Sequence, residues 1–148
     1  DERVTCEEAR LCELAKLIKV CTLEKKRAII SVRSVVKWLE PAVNHCQYLL
    51  LKGPYDRYDT GYVTWAWVDE TTLKSYESDD RFYPHDSCWN EGNNLIILDV
   101  CIPFDLKFHL KKLFKLKKKI FENDINSVSY ILRDSKGKVT WCKKWTKN

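Results

Sequence analysis

The sequence has no apolar run close to the roughly 20 residues that a membrane-spanning helix needs, so membrane insertion is not expected. It also lacks methionine altogether, which predicts a trimmed or processed chain, and its charged start, DERVTCEEAR, has no signal-peptide pattern. Internal repeats, low-complexity tracts and linkers are missing as well. The chain that remains has 148 residues, 45% of them hydrophobic, and this predicts a single domain over residues 1–148 with one core.

No two cysteines are spaced as CxxC, although the chain has seven of them. Zinc sites need clustered ligands, so this spacing argues against a metal site, and no motif indicates a cofactor. The odd number argues against a disulfide framework, and several cysteines stand in apolar runs. We therefore expect reduced, mostly buried thiols in a cytoplasmic protein. The seven are Cys6, Cys12, Cys21, Cys46, Cys88, Cys101 and Cys142.

The positive charge of the chain is concentrated in one segment. The net charge is +5, and seven lysines fall within residues 107–119. Such a segment attracts acidic partners, which include an acidic carrier protein, anionic lipid and, as the weakest candidate, nucleic acid. The alternative is a solvated helix face without a partner. The candidate partner-binding residues are Lys111, Lys112, Lys115 and Lys118.

Hydrophobic periodicity predicts an α+β fold. Helical spacing occurs at residues 7–20, 31–39, 70–76 and 106–121, and strand patterns occur at 47–52, with an apolar centre at 48–51, and at 62–68, 95–102, 127–133 and 138–144. Turn residues between the first two strands and between the last two predict antiparallel hairpins. The expected architecture is a mixed, mostly antiparallel sheet with flanking helices, as in the N-acetyltransferases.

One carboxylate interrupts an apolar strand pattern. In NNLIILDVCIPFD, residues 93–105, Asp99 follows four apolar residues and precedes three more. A carboxylate is costly to remove from water unless something pairs with it. Either the strand ends early and Asp99 caps the next segment, or Asp99 is a catalytic or ligand-orienting carboxylate at a strand end.

Five stretches share their order and spacing with a known family: LEPAVNHCQYLLL (39–51), GYVTWAWV (61–68), CWNEGNNLIILDVCIPF (88–104), LKKLFKLKKKIF (110–121) and SYILRDSKGKV (129–139). Over roughly residues 13–144 they resemble the toxin-activating lysine acyltransferases of RTX haemolysin operons. The resemblance implies an N-acetyltransferase-like fold and an enzyme that moves a fatty acyl chain from acyl carrier protein to lysines of a protoxin. It also implies that Trp89, Gly92 and Asp99 match the family's pattern, with Asp99 at the position of the catalytic aspartate.

The same resemblance implies that the family's catalytic histidine is missing. Its Ser-Pro-Leu-His segment, counted back without gaps from Pro41, places Glu24 at the serine and Arg27 at the histidine. An arginine cannot accept the proton that an attacking lysine must lose. The histidines of this chain, His45, His85 and His109, stand elsewhere. Of these, His85 is the weak candidate for a relocated base.

Two functions are consistent with these observations. The favoured one is a catalytically impaired relative that binds a protein partner, most concretely an immunity protein that neutralises a toxin or toxin domain, with a homodimer left open. The alternative is an active, acyl-carrier-protein-dependent protein-lysine acyltransferase that uses Asp99 with His85. A neighbouring protoxin gene would favour the enzyme, and a toxin-domain gene immediately upstream would favour immunity.

Overall fold

A computed structural model describes the backbone of residues 2–121, 124–133 and 138–147, and the side chains of residues 5–115, 124–133 and 138–147. The described helices are α1 (Glu2–Cys21), α2 (Lys25–Ala28), α3 (Val32–Asn44), α4 (Glu70–Ser78) and α5 (Leu106–Phe121), with a 3-10 turn at Asp86–Cys88. The strands are β1 (Tyr48–Leu51), β2 (Gly61–Val68), β3 (Asn94–Cys101), β4 (Ser127–Arg133) and β5 (Val139–Thr146).

The five strands form one sheet in chain order, β1-β2-β3-β4-β5. The pairs β1–β2 and β4–β5 are antiparallel hairpins, whereas β3 and β4 are parallel and are joined through α5. Two parallel strands need a crossover of this kind, because the chain must return to the starting end of the first strand before the second begins, and a tight turn is too short for that. The predicted α+β class, with a mixed, mostly antiparallel sheet and flanking helices, is confirmed.

The chain divides into two compact units, and the first comprises residues 1–64 and 99–112. Its core lies between α1 and α3, where apolar residues recur at helical spacing, and it includes one residue from each of β2 and β3. Ser31 begins α3 by accepting a hydrogen bond from the Ser34 backbone. The buried members of this core are Leu14, Leu17, Val20, Cys21, Val35, Leu39, Val43, Tyr62 and Cys101.

The second unit comprises residues 65–98 and 113–148, and it holds the parallel β3–β4 ladder. Leu95, Ile125 and Val128 form a buried cluster there. Gly92 packs so closely on the backbone of Val68 that a Cβ atom would clash with it, which explains a glycine at this position. The prediction of one domain over residues 1–148 stays a prediction.

The prediction that the thiols are mostly buried is wrong. The cysteines are free thiols, but four of them are exposed and Cys88 is half-buried, so only Cys21 and Cys101 are buried. On α5 the apolar residues at helical spacing form a stripe that is largely at the surface, since Leu106, Leu110 and Phe114 are 54%, 40% and 64% exposed. The stripe residues Ile120 and Phe121 have side chains outside the described part. Among the α5 side chains that the structure describes, the one that is fully buried is that of His109.

Candidate functional site

Asp99 lies inside β3, which continues to Cys101, and its side chain is 5% exposed. The interpretation in which the strand ends early and Asp99 caps the next segment is therefore wrong. A carboxylate this deeply buried needs a cation or several hydrogen-bond donors, and Asp99 has both.

Arg27 forms a bidentate ion pair with Asp99 through two parallel hydrogen bonds. One terminal guanidinium nitrogen lies 2.7 Å from Oδ2 of Asp99 and the other lies 2.7 Å from Oδ1. The short helix α2 comes directly after the turn that ends α1, and it presents Arg27 to the strand end. Charge-assisted pairs of this forked kind are the strongest and most directional of side-chain hydrogen bonds.

Every N–H group of Arg27 has an acceptor. Nε donates to Glu24 over 2.7 Å, and the terminal nitrogens donate to the Tyr62 hydroxyl over 2.8 Å and to the Val100 carbonyl over 3.0 Å, in addition to the two bonds to Asp99. The Tyr62 hydroxyl in turn donates to Oδ2 of Asp99 over 2.6 Å. The result is a closed network in which both oxygens of Asp99 are already occupied.

The electrostatics of this network keep Arg27, Tyr62 and the two nearby thiols protonated. Burial opposes the charge of Arg27, but the hydrogen bonds and the charge of Asp99 outweigh it, so the pKa of Arg27 is raised above its already high value. Burial and the neighbouring Asp99 raise the pKa of Tyr62. Burial also raises the pKa of Cys21, and raises the pKa of Cys101 to about 12. Neither thiol is therefore poised as a thiolate nucleophile.

The histidines lie elsewhere in the fold. His85 is exposed before the 3-10 turn of the second unit, where its Nδ1 accepts from the Ser87 backbone over 3.3 Å. His45 is exposed just after α3. His109 is buried in the first unit, and burial together with the charge of Lys112 lowers its pKa. Within the described residues, the side chains that donate hydrogen bonds to Asp99 are those of Arg27 and Tyr62, and neither is a histidine.

The predicted partner-binding lysines line an exposed helix. Lys111, Lys112 and Lys115 are exposed on α5, whereas the side chain of Lys118 lies outside the described part. Lys112 donates to the carbonyl of Lys52 over 3.2 Å and lies 4.9 Å from the centroid of the Phe108 ring. Exposed apolar side chains therefore alternate with lysines along this helix, which a purely solubilising face does not require.

Sequence reasoning named Arg27 and Asp99 separately and did not pair them. The signal was present, because an aspartate inside an apolar strand demands a cation and Arg27 stands where the family resemblance places a residue next to it. Tyr62 and Cys21 gave no comparable signal. They join the network only because the hairpin strand β2 and the end of α1 meet at this point.

Neither a membrane span nor a metal site is found in the part of the chain that the structure describes. Within the described residues no helix is long and apolar enough to cross a membrane, and no group of three or more potential ligands could hold a metal ion.

Comparison with known proteins assigns the chain to a family. A comparison with curated proteins gave no match. The model of the RTX toxin acyltransferase family matches residues 6–145, nearly the whole sequence. The chain therefore belongs to the RTX toxin acyltransferase family.

Proposed function

We propose that this protein is a family member that does not transfer acyl groups and acts instead by binding a protein toxin. The observation that carries the proposal is the occupied state of Asp99, whose two oxygens accept from Arg27 and Tyr62. A carboxylate whose family role is to orient a histidine base here holds an arginine.

The chemistry of acyl transfer requires a proton acceptor, and both carboxylates of this cluster, Glu24 and Asp99, already accept hydrogen bonds from Arg27. A lysine attacking an acyl thioester must first lose a proton, and general-base catalysis contributes about 10²–10⁴-fold to such steps. The guanidinium of Arg27 is permanently charged, and the raised pKa values of Tyr62 and Cys101 keep both groups protonated. Asp99 would have to break a forked ion pair before it could accept a proton itself.

The Arg27–Asp99 pair serves the fold in this proposal. Removing one partner of a buried ion pair leaves an uncompensated charge and typically costs about 3–5 kcal/mol of unfolding free energy. The pair ties α2 to β3 inside the first unit, next to the core residues Tyr62 and Cys101. Retention of Asp99 is thus accounted for without catalysis.

The surface of α5 is the proposed binding face. Its exposed Lys111, Lys112 and Lys115 favour an acidic partner, and the exposed Leu106 and Phe108 add apolar area that a stable interface needs. Because the family acts on toxins, we propose a toxin or toxin domain as the partner and immunity as the most concrete function. Four exposed free thiols favour the cytoplasm, where they stay reduced.

The decisive experiment is an acyl-transfer assay. The protein is incubated with long-chain acyl carrier protein and a lysine-bearing protoxin fragment, next to an active family member as positive control. Mass spectrometry of the acceptor should show modification no faster than without protein. We expect Asp99→Asn to lower the melting temperature and leave this background rate unchanged.

An active protein-lysine acyltransferase is the alternative that the assay tests. Transfer by the wild-type protein that disappears in a folded Asp99→Asn variant would overturn the proposal. His85→Ala would then show whether a relocated base assists Asp99.

A further inference from the structure

A cleft of about 360 Å³ lies in the first unit, separate from the residues of the Arg27–Asp99 network. One wall is the middle of α1, with Ala15, Lys16 and Lys19, and the other comes from Lys52 and the loop after β1. The volume falls within the range of small-molecule sites. Neither acyl transfer at Asp99 nor toxin binding through α5 uses this cleft.

The cleft is lined by four cations and one anion. The positive residues of the lining are Lys16, Lys19, Lys52 and Arg57, and the negative one is Asp59. The lining of the cleft therefore carries a net charge of +3, four positive minus one negative. Like charges gathered in a concavity repel one another, and they focus a positive potential on the space they enclose. A bound anion would therefore lower the electrostatic energy of the lining residues.

The existing contacts leave part of this charge uncompensated. Lys16 pairs with Glu13 at 2.9 Å, and Lys19 lies 4.4 Å from the centroid of the Tyr58 ring. Within the described residues, neither Lys52 nor Arg57 forms an ion pair. An arginine fork with nearby lysines is the combination that recognises phosphate, because the guanidinium matches two phosphate oxygens while lysine supplies point charges.

We propose that this cleft binds the phosphate or diphosphate group of a small soluble molecule. Its size fits such a group with a short organic portion that would lie against Ala15 and the ring of Tyr58. A phospholipid headgroup shares the chemistry but arrives on a bilayer. The inference goes beyond the proposed function, since loss of acyl transfer neither requires nor excludes it.

The test is calorimetric titration of the full chain with inorganic pyrophosphate at low salt. Wild-type protein should bind one equivalent, and Arg57→Gln or Lys19→Gln should weaken binding about tenfold or more, as expected for a lost charge-assisted contact. The matched control is Lys74→Gln, which removes the same charge from an exposed site on α4 outside the cleft and should change the dissociation constant less than about twofold. Melting curves verify that the variants, all at exposed positions, remain folded.

Three results would overturn the inference. One is the absence of saturable pyrophosphate binding by the wild-type protein. Another is an equal loss in Lys74→Gln, which would mean that net charge alone attracts the anion. The third is binding to vesicles of phosphatidic acid in phosphatidylcholine without binding of free pyrophosphate, which would assign the basic surface to a membrane headgroup.

Discussion

His109 combines complete burial with two unsatisfied ring nitrogens. Its side chain has no exposed area, and neither Nδ1 nor Nε2 has a hydrogen-bond partner among the described residues. Its neighbours with charge are Lys112, which disfavours protonation, and Asp105 and Asp56, which favour it. Burial is the larger influence, so the pKa of His109 is lowered and the folded state prefers the neutral imidazole.

This arrangement makes stability sensitive to mild acid. Because the folded pKa lies below the unfolded value of about 6.5, the contribution of neutral His109 is present above that pH and is lost as the pH falls. Urea unfolding of the wild-type protein should give a lower unfolding free energy at about pH 5 than at about pH 7.5. His109→Leu should flatten this dependence and be the more stable protein in acid, whereas His45→Leu should keep it. An unchanged slope in His109→Leu would mean that other groups cause the acid sensitivity.

Some features of individual residues can be predicted from the sequence alone, and others cannot. Asp99 is anomalous in the sequence itself, because a buried carboxylate is expensive whatever the fold, and that argument needs no coordinates. The prediction that the cysteines are mostly buried is wrong, because an apolar neighbourhood in sequence does not say which face of a helix or strand a side chain occupies. Partners such as Tyr62 are set by tertiary contacts, which a single sequence does not reveal.

At the scale of elements, Tyr76 joins a helix to the parallel strands of the second unit. The β3–β4 ladder runs from Asn94 paired with Ser127 to Ile97 paired with Tyr130. At its end the buried Tyr76 of α4 donates to the Ile97 carbonyl over 2.8 Å and accepts from the Ile131 backbone over 2.9 Å. One hydroxyl therefore satisfies a backbone group on each strand.

Tyr76→Phe should therefore lower the free energy of unfolding by more than the loss of one hydrogen bond would. It leaves the half-buried Ile97 carbonyl and the buried Ile131 N–H without this partner, and an unsatisfied buried group costs about 1–3 kcal/mol of unfolding free energy. Chemical denaturation should show a destabilisation of at least about 1 kcal/mol. The control Tyr55→Phe removes a hydroxyl from a residue that is 99% exposed, and should stay within about 0.5 kcal/mol. Equal effects of the two variants would contradict this role of Tyr76.

The sequence predicts elements better than it predicts their burial. The bounds of α5 and β4 match the prediction, β1 is one residue shorter at each end than the predicted strand, and both hairpins are expected from turn residues that act locally. Helix α2 was missed because four residues give no periodicity to detect. The α5 stripe shows the limit most clearly, since helical spacing predicts an apolar face but does not say which element, if any, covers that face.

At the scale of the whole molecule, charge and exposed apolar area coincide on α5. Surface lysines contribute little to stability, and an isolated solvated helix face would not need Leu106 and Phe108 at 54% and 37% exposure. The net charge of +5 further favours acidic partners over basic ones. In the proposed function these features serve recognition of a partner more than folding.

The double replacement Lys111→Glu with Lys115→Glu should therefore separate binding from stability. Affinity for the proposed toxin partner should fall at least about tenfold, and wild-type affinity should itself decrease between about 50 and about 300 mM salt because charge attraction is screened. The melting temperature should barely move. The matched control, Lys25→Glu with Lys26→Glu, makes the same change of charge on the exposed residues of α2 and should retain binding. A similar loss in both variants would show that net charge, and not the α5 surface, determines association, whereas no loss in either would leave α5 as a solubilising face.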